Sequence, residues 1–211
     1  TVENGTVVSQ SIRSFLRIQS HSVGANQRQG TNIGFTFKGK TSQVYSSYRS
    51  RGCDPAVGYH VSLGTLVLNG DNDGSAISDP NYGINAAPRI CISANKQSSS
   101  NTDDEFIFKT ASGTYAFDTW YHVRADLIPS IAGDTIKVYT ASITDTLGSE
   151  TWSEVASVII PSGHPSYIPW DDSNNKYAGY WVSIVHRGDK STYGRHVPMI
   201  DKFQFLSTDI S

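Results

Sequence analysis

Phe117-Asp118-Thr119-Trp120-Tyr121-His122-Val123-Arg124-Ala125-Asp126-Leu127 is the stretch that decides the fold. From Tyr121 onward, apolar Tyr121, Val123, Ala125 and Leu127 alternate with polar His122, Arg124 and Asp126. A period of two places the sets on opposite faces of a strand. Ile136-Lys137-Val138-Tyr139 repeats the pattern after Ala132-Gly133-Asp134, whose residue types suit a turn. The pair reads as a hairpin, with Trp120 expected to anchor one end of it in a core between two sheets.

Moving outward, the alternation returns in Ile33-Gly34-Phe35-Thr36-Phe37, read as a half-buried strand, and in Phe106-Ile107-Phe108. It recurs in Tyr180, Val182 and Ile184, and in Phe203-Gln204-Phe205. Turn-forming clusters such as Asn69-Gly70-Asp71-Asn72-Asp73-Gly74 and Pro161-Ser162-Gly163-His164-Pro165 separate the runs. The hydrophilic stretch from Ser93 to Glu105 reads as an exposed loop. About ten short strands with such breakers predict an all-β chain, an antiparallel β-sandwich, with residues 1–211 forming one domain. No internal repeat supports a propeller or solenoid.

Composition agrees. Serine (29) and threonine (17) make up 46 of 211 residues, and good helix formers are sparse. A chain of this length hides roughly 70% of its unfolded surface without staples. Cys53 and Cys91, isolated from any CxxC pair, are therefore expected to be reduced. A net charge of −2 gives no excess of cations for phosphates or anionic lipid, so neither nucleic acid nor membrane is an expected partner. Thr1 is a small residue of the kind that initiator-methionine removal leaves, which fits synthesis in a cytoplasm. A cleaved secretory signal would leave a similar start.

The hairpin segments Trp120-Tyr121-His122-Val123 and Lys137-Val138-Tyr139 resemble those of concanavalin A-like jelly rolls, a group that includes laminin G-like and pentraxin-like modules. Ile200-Asp201-Lys202-Phe203 is similar to the segment that closes such domains. The resemblance covers about a third of the chain. It implies a jelly roll of two antiparallel sheets with the first and last strands adjacent, and says little about function.

Several motifs name chemistries that their surroundings reject. Gly34-Phe35-Thr36-Phe37-Lys38-Gly39-Lys40-Thr41 satisfies the phosphate-loop pattern, which needs a buried strand before it and a helix after it. Here the interior of the motif is itself a strand, and the sequence that follows is a poor helix former. Arg187-Gly188-Asp189 spells an integrin tripeptide but reads as an ordinary turn. Asp71, Asp73 and Asp79, or Asp171 and Asp172, offer oxygen ligands for calcium, the one cofactor with any support, although no EF-hand is completed. His186 and His196 lack zinc spacing. Asp103-Asp104-Glu105 sets adjacent carboxylates on opposite faces, unsuited to a glycosidase pair. No enzyme, catalytic residue or metal site is expected.

Binding and assembly remain. Tyr167, Trp170, Tyr177 and Trp181 concentrate aromatics among polar residues; they are either plugs of the core or a platform for stacking sugar rings. The overall texture is similar to that of bacteriophage virion proteins, made in the host cytoplasm and displayed as capsid decoration, fibre or tail components. Such proteins act as symmetric homo-oligomers, trimers among them. The sequence thus predicts a non-enzymatic virion structural protein that works through protein–protein assembly. A carbohydrate-binding lectin-like module, in a tail adhesin or a secreted protein, is the alternative, and a divergent glycoside hydrolase is third.

Overall fold

The computed structural model describes residues 2–3, 6–21, 28–39, 57–65, 87–95, 107–146, 148–172, 177–187 and 196–209. These residues contain eleven strands and no helix. The strands are β1 (Val2–Glu3), β2 (Thr6–Gln19), β3 (Arg28–Gly39), β4 (Gly58–Gly64), β5 (Arg89–Asn95) and β6 (Ile107–Thr110). The second half supplies β7 (Tyr121–Ser130), β8 (Gly133–Ala141), β9 (Ser153–Pro161), β10 (Tyr177–Arg187) and β11 (Val197–Asp209). They form two antiparallel sheets. One has the order β1-β2-β7-β8-β9 with β11 on the other edge of β2, and the second has the order β10-β3-β4-β5-β6. The chain is a β-sandwich. Its C-terminal strand pairs with β2, so the first and last long strands are neighbours, as the resemblance implied.

The alternating pattern has the expected cause. Val123, Ala125 and Leu127 of β7 and Ile136 and Val138 of β8 face Ile33, Phe35, Phe37, Val61, Leu63, Ile90 and Ile92 across the core, all at most 2% exposed. Each large aliphatic or aromatic side chain so buried stabilises by about 1.5–3 kcal/mol. At the β7–β8 turn Gly133 has φ of 141°, and a Cβ there would meet the Ile160 carbonyl oxygen at 2.2 Å, so the turn needs glycine.

Three expectations are corrected. The strand of Ile33–Phe37 is buried on both faces, since Asn32, Thr36, His60 and Ser62 are also at most 4% exposed. Ser93 belongs to β5 and is buried, as is Ala94, so the stretch is not an exposed loop at its start; residues 96–106 lie outside the described residues. Trp120 is half-buried and not part of the core cluster. It precedes β7 in a turn where Asp118 adopts φ of 60°, and Tyr115, buried edge-on against Tyr121, takes the place expected for it.

Candidate functional site

One end of the sandwich is closed by a buried polar cluster. In the β10–β3 ladder, Tyr177 pairs with Gly39 and Gly179 with Thr36, so β3 carries one extra residue. Lys38 sits at this bulge with φ of 51°, and its side chain turns inward beside that of Phe37. Its Nζ donates to Asp134 Oδ2 at 2.6 Å and to the Ile168 carbonyl at 2.6 Å, and lies 3.7 Å from the centroid of Trp170. All three N–H bonds of the ammonium are thereby directed at partners.

Asp134, on the core face of β8, answers from the opposite sheet. The Tyr59 hydroxyl donates to its Oδ2 at 3.0 Å and Trp170 Nε1 donates to its Oδ1 at 3.0 Å. The Ile168 amide donates to the Tyr59 oxygen at 2.9 Å, which closes the network. The side chain of Lys38 is 5% exposed and that of Asp134 is 0% exposed. Burial lowers the Lys38 amine to about 8, against the opposing pull of Asp134. Burial together with the Asp134 charge pushes the Tyr59 phenol above its ordinary range.

The four aromatics expected to act together fall in two places. Tyr167 and Trp170 belong to the segment that plugs this end; the Lys38 ammonium lies 5.1 Å from the Tyr167 centroid, and Trp170 is committed to Asp134. Tyr177 and Trp181 are on β10. Trp181 stacks on His60 at 4.8 Å over the outer face of the five-stranded sheet, and Tyr177, half buried, pairs with Gly39 at the bulge. All four keep part of their surface exposed.

The outer face of the six-stranded sheet carries a second network that the sequence did not flag. His122, 1% exposed, stacks on Phe15 at 4.2 Å and meets Trp152 edge-on at 4.7 Å. Arg13 reaches both oxygens of Glu150 at 3.1 Å and Gln204 at 2.7 Å, while Arg124 pairs with Asp126. Glu150 and Trp152 fold the connection between β8 and β9 onto this face. The only signal for it in the sequence was the polar face His122-Arg124-Asp126.

The flank formed by β10 and β11 is open. On β10, the positions flanking Trp181 face the opposing sheet, yet Tyr180 is 58% and Val182 42% exposed. On β11, Asp201 pairs with Phe15 and Gln204 with Arg13, a bulge with Lys202 at φ of 52°. Phe203 points inward from this bulge to Phe35 and Tyr180, both at 6.3 Å, and still is 39% exposed. Phe205, at the register of Ile12, extends the strip, while Leu206 and Val197, opposite Ser11 and Gln19, are exposed on the outer face of β11.

The remaining motifs are placed as follows. Gly34 to Gly39 lie within β3, so this part of the phosphate-loop match is a strand; the motif's own Lys40 and Thr41 lie outside the described residues. Arg187 ends β10; Gly188 and Asp189 lie outside the described residues, as do Asp71, Asp73, Asp79, Asp103, Asp104, Glu105 and Cys53. Cys91 is a free, buried thiol. His196 is buried, stacked on Phe117, and its Nδ1 accepts from the His21 amide. Among the described residues no three His, Cys, Asp or Glu side chains converge as a metal site, and no helix is long and apolar enough to cross a membrane. No family model and no curated protein sequence matches the chain.

Proposed function

We propose that the chain is a non-enzymatic assembly module, a structural component of a particle of the bacteriophage virion kind, that binds further copies of itself along the β10/β11 flank. The observation that carries this reading is the open flank. Tyr180, Val182, Phe203 and Phe205 expose inward-facing apolar surface along the two strands that end the two sheets. Among the described strands, β10 pairs only with β3 and β11 only with β2, so each keeps one edge of backbone donors and acceptors for another strand. A second copy is the favoured occupant because none of these four side chains is charged, and self-apposition of them sets no like charges against one another. Covering them contributes several kcal/mol, against an association cost of about 4–15 kcal/mol. Strand pairing at the edges is therefore needed as well. Kinship with concanavalin-like jelly rolls belongs to the same reading, supported by the β7–β8 hairpin and the β2–β11 pairing.

Light scattering on the purified chain tests the proposal. The expected result is a defined oligomer that Phe203→Asp with Phe205→Lys converts to monomer with the fold retained. A wild-type monomer at high concentration overturns it. The second reading, attachment to a surface glycan, rests on Trp181 and Tyr177, which keep exposed surface on one strand. Undiminished glycan retention by Trp181→Ala removes that reading.

A further inference from the structure

We propose that Lys38 and Asp134 are joined by an autocatalytic isopeptide bond that staples the two sheets together. Three independent features of the geometry converge on this pair. Nucleophile and electrophile are held together across the core, with Lys38 Nζ 2.6 Å from Asp134 Oδ2 and both side chains at most 5% exposed. Each carboxyl oxygen also has its own donor. Trp170 Nε1 holds Oδ1, where negative charge develops when a carbonyl is attacked, and the Tyr59 hydroxyl holds Oδ2, the oxygen that must leave. Finally, the Ile168 carbonyl at 2.6 Å and the Trp170 face fix the direction of the amine.

The step balances without a co-reactant. One ammonium proton passes from Nζ to Oδ2, leaving a neutral amine beside a carboxylic acid. A dry site favours this form over the ion pair, in line with the depressed Lys38 amine. The Nζ lone pair forms the new bond to Cγ, and the carbonyl electron pair moves onto Oδ1 against Trp170. A second Nζ proton goes to Oδ2, the Cγ–Oδ2 bond breaks, and one water departs as the carbonyl reforms. The product is an amide linking β3 to β8. It turns over once per chain, and the proposal is independent of what binds the β10/β11 flank.

The test is the intact mass of the full chain under denaturing conditions, followed by protease digestion. The expected mass is one water below that of the sequence, with a branched peptide joining Lys38 to Asp134. Lys38→Arg, which keeps the charge and removes the nucleophile, should show the full mass, and Tyr59→Phe should slow the conversion. A full sequence mass with unlinked peptides after prolonged incubation near pH 8 overturns the proposal and leaves an ordinary ion pair. Loss of water without a branched peptide marks an aspartyl succinimide and overturns it equally. The wild-type reading requires no variant to fold.

Discussion

Asp134 gathers donors from three separate parts of the chain. It accepts from Lys38, Tyr59 and Trp170 with no exposed surface of its own. Asp134→Ala prevents the link and leaves a buried cation and two buried donors without their acceptor, so chemical denaturation should show a loss of at least about 3–5 kcal/mol, the cost of breaking the buried pair alone. Trp170→Phe keeps a ring over Lys38 and loses one hydrogen bond, so about 1–2 kcal/mol is expected. Equal losses in the two variants would contradict this network. His122 gives the pH response. Burial holds its imidazole below the ordinary 6.5, with Glu150 pulling it up and Arg13 pushing it down. The unfolded chain therefore binds more protons than the fold once the pH falls below about 6.5, and stability decreases as the pH falls from there. His164 and His196 share the direction. Melting curves from pH 7 to 5 should show a shallower decline for His122→Phe than for wild type; an identical slope would mean that His122 takes no part.

At the scale of the element, two bulges do what ideal strands cannot. An unbroken alternation would send Lys38 away from the core beside Phe37, and the left-handed residue in β3 brings it inward. The bulge at Lys202 likewise sends the lysine over Phe15, at 5.1 Å, and Phe203 toward the opposing sheet. Neither was visible in the sequence, because lysine carries no signal for a positive φ. Gly34 shows the reverse case. Its place in a phosphate-loop pattern suggested chemistry, while a Cβ there would lie 1.9 Å from the Val61 carbonyl oxygen of the neighbouring strand. Gly34→Ala should cost about 3 kcal/mol, the upper end of overpacking losses, by prising β3 from β4. Gly163→Ala, with no atom within 4 Å of the added carbon, should leave the unfolding midpoint unchanged.

At the scale of the molecule, the sandwich is asymmetric. On one flank β6 lies against β9, while on the other β10 and β11 part enough to expose inward-facing aromatics. Because Tyr180 and Phe203 are 58% and 39% exposed, Tyr180→Ser with Phe203→Ser should shift the melting temperature of the monomer little. The same pair should abolish self-association. Loss of folding in this variant would show instead that these rings belong to the core.

The sequence by itself determined β3, β7, β8, β10 and β11 and their inward faces, since a period of two in Ile33–Phe37, Tyr121–Leu127, Ile136–Tyr139 and Phe203–Phe205 admits one pleated arrangement against a core, whereas β2, β4, β5 and β9 showed no alternation that singled them out. It also placed the hairpin and rejected the phosphate loop. The convergence of Lys38, Asp134, Tyr59 and Trp170 was decided only in three dimensions, as was the separation of Trp170 from Trp181. These residues come from β3, β4, β8, β10 and the segment after β9. Which of them meet depends on how two sheets stack and where one bulge falls, and neither leaves a local periodicity to read.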